Sequence, residues 1–225
     1  MKRDDFQQAL KAVKDRSPKK KFVQSVEMIL NFKGLNLKKP EEQVDVFHVL
    51  PHGLGSARTV CALIGVELQE QAKKHCDHFV LNDDFQKYEG KKKEVKKLAS
   101  QYDYFIAQAP FMANIAKVFG RYFGPKGKMP NPKAGCVVPP NANLEVIKKK
   151  LASTIRLQMK GKPLIQVPVG REDMDETKLI DNIFSVYQAI APKLPGEDAN
   201  IRSIYLKLSM GPTIKVGAIA EVEKK

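Results

Sequence analysis

The sequence predicts two domains in one chain: an α/β domain at residues 65–154, inserted into an α+β domain built from residues 1–64 and 155–225. Three observations carry this. Between Gly65 and Ser153, apolar strand patterns alternate with helical ones, the order that builds a mostly parallel sheet. The flanks follow another grammar, of short alternating strands with one helical pattern on each side. Neither flank is long enough to bury a core by itself, so the two ends must join into one domain.

Taken in order, Phe6, Leu10 and Val13 recur at helical spacing in residues 4–15, and Ser17-Pro18 ends that helix. After Lys19 to Lys21, a strand is expected over Phe22 to Lys33. Val26, Met28, Leu30 and Phe32 share one face of it; Ser25, Glu27, Asn31 and Lys33 share the other, with Ile29 the exception. Gly34 and Pro40 bound the next connection. Val44 to Leu50 is a second strand, closed by the turn Pro51-His52-Gly53-Leu54-Gly55. The grammar changes at Arg58: Thr59 to Ile64 is a continuous apolar run, as in a strand buried on both faces. A helix over Glu67 to His75 follows, then a strand at Phe79 to Leu81. One helix is capped near Asp83 or Asp84 and runs through the lysine-rich 91–97 segment; a strand at Tyr104 to Ala107 and a helix from Met112 to Phe119 come next. Asn143 has the character of an N-cap for a helix over Leu144 to Ala152.

Short strands return at Ile155 to Met159 and Leu164 to Val169. Asp175 can cap an amphipathic helix with Leu179, Ile183, Val186 and Ile190 on one stripe, stopping at Pro192. The last regular stretch is Ile201 to Val216, in which Ile204, Leu206 and Leu208 alternate with Tyr205, Lys207 and Ser209 until Gly211-Pro212 breaks the ladder. No carboxylate occurs from Ala199 to Ala220, while Arg202, Lys207 and Lys215 are present. Such a strand suits a sugar–phosphate partner, though on this stretch alone a core strand with a solvated outer face is the favoured reading.

Composition narrows the function. The 225 residues are 43% hydrophobic with Lys+Arg 39 against Asp+Glu 25, a net charge of +14; the sequence pI is about 9.6 and the mean hydropathy −0.36. This field favours a polyanion, nucleic acid ahead of an anionic membrane surface, which would call for a bulky aromatic face that a chain without Trp does not offer. With no membrane-span-length apolar run and no signal-peptide core, the expected location is the cytoplasm. Cys61, Cys76 and Cys136 are an odd number without C-x-x-C and read as thiols. His75-Cys76-Asp77-His78 lacks a second ligand pair, so no metal and no other cofactor is expected.

The most unusual composition is the loop Gly120 to Gly135, in which Arg121, Lys126, Lys128 and Lys133 are interleaved with glycines and prolines. Glycine lets phosphate approach backbone N–H groups, so this loop is either a candidate secondary RNA contact or a structural turn made conspicuous by its charge. It is not a nucleotide-binding P-loop: Met129 follows Lys128 where Ser or Thr is needed, and the preceding glycine spacing is wrong. His48 and His52 flank a turn, with no Ser or Cys marked out as a nucleophile beside them.

Four motifs occur in one order: Lys21-Phe22-x-x-Ser25-Val26-Glu27, Leu50-Pro51-His52-Gly53-Leu54-Gly55, Gly124-Pro125-Lys126-Gly127-Lys128-Met129-Pro130-Asn131-Pro132-Lys133-Ala134-Gly135 and Ser209-Met210-Gly211-Pro212. Together they resemble the ribosomal protein L-one family, the large-subunit protein of the mobile stalk beside the tRNA exit site, and the short N-terminus resembles the archaeal type. The resemblance implies a split α+β domain I and an inserted Rossmann-like three-layer α/β domain II. It also implies that domain I binds stalk rRNA through Lys21, Phe22, Ser25, Glu27, Asn31, Ser209, Met210 and Gly211. Lys33, Lys207, Pro212, Thr213 and Arg58 complete the candidate RNA-binding set.

Serine hydroxyls and a glutamate can engage ribose 2′-OH groups or base donors, and Met210 beside bare Gly211 suits a shallow groove. Ser25 and Ser209 stand where the family commonly has threonine, keeping the hydroxyl and losing a methyl. Ser56 stands where a lysine is frequent, which leaves the charge to Arg58. The resemblance further implies a non-enzymatic protein, monomeric when free, with three RNA partners: stalk rRNA, deacylated tRNA at the exit site, and its own messenger RNA, which it represses. Domain II is expected to shift about hinges near Gly65 and Ser153. The rival readings are a non-specific nucleic-acid-binding protein and a phosphate-binding α/β enzyme.

Overall fold

Phe6, Ala9, Leu10 and Val13 form the buried stripe of helix α1 (Arg3–Arg16), whose acidic first turn and basic last turn both suit the helix dipole. The computed structural model describes residues 1–39, 42–159 and 161–217; Pro40, expected to bound a connection, lies outside them. Strand β1 (Ser25–Phe32) alternates strictly, with Val26, Met28, Leu30 and Phe32 buried and Ser25, Glu27, Ile29 and Asn31 half-buried. It begins later than the sequence suggests, because Phe22 and Val23 are exposed and lie ahead of the ladder. Strand β2 (Asp45–Val49) follows, then the 51–55 turn, with left-handed φ at Gly53 and Gly55.

The chain divides into two compact units, Met1–Ser56 with Ser153–Lys225, and Ala57–Ala152. In the second, strand β3 (Val60–Ile64) is wholly buried and leads through a 3-10 turn at Val66–Leu68 into helix α2 (Gln69–His75). Strand β4 (His78–Leu81) precedes two helices, α3 (Phe85–Tyr88) and α4 (Lys92–Gln101), not the single helix expected. Gly90, at φ +81°, turns the backbone left-handed between them. Strand β5 (Tyr104–Gln108) leads to α5 (Met112–Phe123), which runs a turn past the expected end because Phe123 is core, its ring 4.1 Å from Phe105 and 5.3 Å from Phe119.

Strand β6 (Val137–Val138), too short to leave a periodic signal, completes a parallel sheet of order β4-β3-β5-β6. In helix α6 (Leu144–Ser153) the Asn143 side chain accepts the Glu145 N–H at 3.0 Å, as an N-cap does. Residues 60–64, assigned above to the terminal domain, therefore belong to the inserted sheet. A strand buried on both faces needs parallel neighbours and helices, which only that segment supplies.

Back in the first unit, strand β7 (Thr154–Gln158) pairs antiparallel with β2, and Arg156 grips Asp45 with Nε and Nη2 at 2.8 and 2.7 Å. Strand β8 (Leu164–Arg171) tolerates Pro168 because it is an edge strand whose register with β1 shifts there. Helix α7 (Glu176–Ile190) is capped by Asp175, which accepts the Thr177 N–H at 3.0 Å. Gly170 lets Leu179 approach the strand, for a Cβ there would collide with the leucine side chain.

The closing stretch is not one interrupted strand. Strand β9 (Ile201–Leu208) ends, the chain turns through 209–213, and β10 (Ile214–Lys215) pairs back on β9 with Ile214 opposite Leu206. The terminal sheet has order β10-β9-β1-β8, all antiparallel. Helices α1 and α7 cover its apolar face, where Phe6 lies 5.8 Å from Tyr187. Among the described residues no helix is long and apolar enough to cross a membrane.

Candidate nucleic-acid interface

Because the terminal sheet buries only one face, its alternation presents a polar strip on the other. Ser25, Glu27, Ile29 and Asn31 of β1 lie beside Ser203, Tyr205 and Lys207 of β9, all half-buried, with exposed Gln166 of β8 alongside. Local hydrogen bonds hold these groups in place. Gln166 Nε2 donates to Glu27 Oε2 at 2.6 Å, and Asn31 Nδ2 donates to Ser203 Oγ at 3.1 Å. Lys207 stands opposite Glu27 in register, yet its ammonium donates to the Ser209 carbonyl at 3.2 Å. The Glu27 carboxylate thus keeps acceptor capacity for an incoming hydroxyl.

One end of the strip is built around Gln24, which is buried. Its Oε1 accepts the Met210 N–H at 3.0 Å, while its Nε2 donates to the Pro18 carbonyl at 3.2 Å. The Ser209 N–H donates to the Ser25 carbonyl at 3.1 Å, and the Ser25 N–H to Ser209 Oγ at 3.3 Å. These bonds bring Ser25, Ser209 and Met210 together. Met210 is 60% exposed and Phe22 55%, large apolar side chains standing in solvent at the end where the polar strip finishes. Gly211 has a structural reason of its own: a Cβ there would collide with the Ser17 hydroxyl, which caps the end of α1 by donating to Val13 O at 2.5 Å. Lys21, Pro212 and Thr213 flank this end, exposed, and Lys33 is exposed past the other end of β1.

Arg58 is not part of this strip. It belongs to the inserted unit, where its Nη1 lies 3.6 Å from Asp103 Oδ1. The Gly120–Gly135 loop is also in that unit, and its backbone is engaged internally. The N–H of Gly124 bonds Gly120 O, that of Gly127 bonds Gly124 O, and that of Lys128 bonds Phe123 O, each at 2.9 Å. Lys128 Nζ donates to the Tyr102 carbonyl and Lys126 Nζ to Ser100 Oγ, both at 2.5 Å. Desolvation pushes the Lys128 ammonium below its usual pKa, with like charge from Lys126 and Arg58 adding to the shift. Arg121 and Lys133 remain exposed.

A phosphate-handling enzyme would use the crevice where the parallel order reverses, beyond the C-terminal ends of β3 and β5. Here that crevice is filled. Buried Gln108 accepts the Gly65 N–H at 2.7 Å and donates to Glu67 Oε2 at 2.8 Å. A Cβ on Gly65 would lie 2.9 Å from Phe111. The lysine loop, tied to Tyr102 just before β5, is at the opposite edge of the sheet.

His48 Nε2 lies 3.1 Å from Ser185 Oγ, but that hydroxyl donates to Asn182 O at 2.8 Å, so the imidazole must donate to it and is not posed as a base. Cys61 and Cys136 are buried, and desolvation raises both thiols, Cys136 to about 11. Among the described residues no three His, Cys, Asp or Glu side chains gather as metal ligands would.

Gln24, Gln166 and Ser203 join the candidate set only in the folded structure. Period-2 alternation was enough to place Ser203 beside Lys207, whereas Gln24 and Gln166 depend on pairing between distant strands.

Fold and strip describe a basic chain of two mixed α/β units, one of which presents a polar sheet face. Comparison with known proteins makes the class specific. The profile of the Ribosomal protein L1p/L10e family matches residues 10–212, and the chain belongs to that family. It is 39% identical over 215 residues to the large ribosomal subunit protein uL1 of Thermococcus kodakarensis, covering 95% of this chain and 97% of the relative. It is 37% identical over 213 residues to the uL1 of Methanothermobacter thermautotrophicus, covering 94% and 98%. These relatives are archaeal, in agreement with the type inferred from the sequence.

Proposed function

We propose that this chain is a constituent of the large ribosomal subunit and that the polar strip of its terminal sheet binds folded stalk rRNA. One observation carries the reading: β1, β9 and the turn after β9 gather hydroxyl, amide, carboxylate and ammonium groups on one sheet face, ended by exposed Phe22 and Met210. Hydroxyl-rich surfaces read the 2′-OH and groove shape of RNA, while apolar side chains fill a shallow groove. Glu27 favours a ribose hydroxyl or base donor, since a carboxylate repels phosphate. In this reading the protein is cytoplasmic on the ribosome and monomeric when free. It moves with the stalk as deacylated tRNA leaves the exit site, and represses its own messenger RNA by binding a look-alike structure. The inserted unit shifts about hinges near Gly65 and Ser153, a reading supported at Ser153 by the boundary between the compact units at 152/153. Arg121, Lys126, Lys128 and Lys133 supply a secondary contact from the inserted unit.

The test is binding to a stalk-region rRNA fragment and to a scrambled RNA of equal length across a salt series. A preference of about 10³ that survives moderate salt supports specific readout. Equal affinities that collapse together with salt would mean that charge alone drives binding. Met210→Asp, with the fold intact, should cost at least ~2 kcal/mol of the specific affinity. Lys126→Ala should cost much less for the isolated fragment. Undiminished Met210→Asp binding would sink the assignment.

A further inference from the structure

Strict alternation along β9 would turn Arg202 inward, since its neighbour Ser203 lies on the polar face. It does not turn inward, because the pairing slips: Asn31 is opposite Ser203 but Phe32 is opposite Ile201, so Arg202 is an extra residue, a bulge. Ile201 then packs against the core while Arg202 stays exposed. The bulge helps shape a groove of about 460 Å³ at the end of β1 away from Met210, lined by Asn31, Lys162, Leu164, Arg202, Ser203 and Tyr205 among others. That is a size typical of small-ligand pockets, about 300–1,000 Å³. Among the described residues no carboxylate lines it, and neither Arg202 nor Lys162 has an ion-pair partner. Two unneutralised cations, an aromatic ring and an amide–hydroxyl pair converge there.

We propose that this groove receives one unpaired nucleotide of the bound RNA. Its phosphate sits with Arg202 and Lys162, where the guanidinium fork matches phosphate oxygens. The ribose 2′-OH exchanges hydrogen bonds with Asn31 and Ser203, donating to the amide oxygen and accepting from the hydroxyl. The base packs on the Tyr205 ring, since stacking on aromatic side chains is how splayed RNA bases are held. The inference rests on reading the polar strip as the RNA face, and extends that face to a subsite at its far end.

The experiment measures the stalk rRNA fragment against the full chain and four forms: Arg202→Ala with Lys162→Ala, Tyr205→Ala, Tyr205→Phe, and Met210→Asp. Each side chain changed is exposed or half-buried, and thermal melting checks the fold; Arg202→Gln with Lys162→Gln replaces the alanine pair if it melts early. The double variant should bind about tenfold more weakly, with the log–log salt slope shallower by about 1. Tyr205→Ala should lose about tenfold and Tyr205→Phe regain most of it, because stacking uses the ring. Wild-type affinity and slope in the double variant and in Tyr205→Ala, with Met210→Asp still weakened, overturns the subsite and leaves the face standing. A wild-type chain without preference for the stalk fragment overturns both.

Discussion

Asn182 offers a direct test of how the terminal unit is held together. Helix α7 carries this side chain into a fully buried position, where its hydrogen-bond partners are all backbone groups. Its Nδ2 donates to Val169 O at 2.9 Å and Gly53 O at 2.7 Å, and its Oδ1 accepts the His52 N–H at 3.1 Å. One amide therefore ties α7 to β8 and to the turn that precedes the crossing into the inserted unit.

Asn182→Ala removes all three partners at once. A buried polar group left unsatisfied costs about 1–3 kcal/mol. The Val169 carbonyl is fully enclosed and counts near the middle of that range; the turn groups are partly accessible, so water recovers some of their loss. The expected destabilisation of the terminal unit is about 3–4 kcal/mol. Asn182→Leu restores the volume but not the hydrogen bonds, and should cost nearly as much, which separates bonding from packing. Hydrogen exchange across a urea series reads the effect peptide by peptide: protection should fall in β1, β8 and α7 and hold in the inserted unit. A loss below about 1 kcal/mol in both variants would refute the argument, because the backbone groups would then have other partners.

Other expectations follow from close approaches and from titration. Gly211→Ala should destabilise the 209–213 turn by about 1–3 kcal/mol, since the new methyl meets Ser17; thermal melting of Gly211→Ala with and without Ser17→Gly should show partial recovery. Gly65→Ala should destabilise the inserted unit by a similar amount, about 1–3 kcal/mol, through contacts with Phe111 and Glu67, while RNA affinity at the terminal face stays unchanged. Burial lowers the His48 pKa below 6.5, so the unfolded chain takes up the proton first. The stability this residue contributes is complete above about pH 6.5 and is lost as pH falls through its folded value. His48→Gln should therefore flatten the denaturant-midpoint profile across that window.

Which of these features could be read in the sequence follows from how far each one reaches along the chain. Alternation in β1, the stripe of α7 and the Asp175 cap are set by residues within a few positions of one another, and they were legible. So was the placing of Tyr205, Lys207 and Ser209 on the face away from Ile204, Leu206 and Leu208. The Gly90 break needed a backbone angle that composition does not announce, and β6 had two residues in which to show a period. The hinge near Gly65 is an expectation from the family resemblance alone, and nothing local in the sequence announces how this glycine packs. Its backbone is in fact extended at φ −86°, ψ −179°, which any residue adopts, and what requires glycine is the nearness of Phe111.

Arg202 shows the same limit where it bears on function. Its neighbours on β9 point where a period of two puts them, and the same rule applied to Arg202 points it into the core, where an unpaired guanidinium would be costly. The side chain escapes because Asn31 and Phe32, on a strand from the other end of the chain, pair with Ser203 and Ile201 and skip it. Its orientation is thus a property of two strands in register and not of β9 alone. In the proposed RNA-binding reading this matters, since a regular strip presents the same spacing throughout, whereas the bulge places one cation at a distinct point along it.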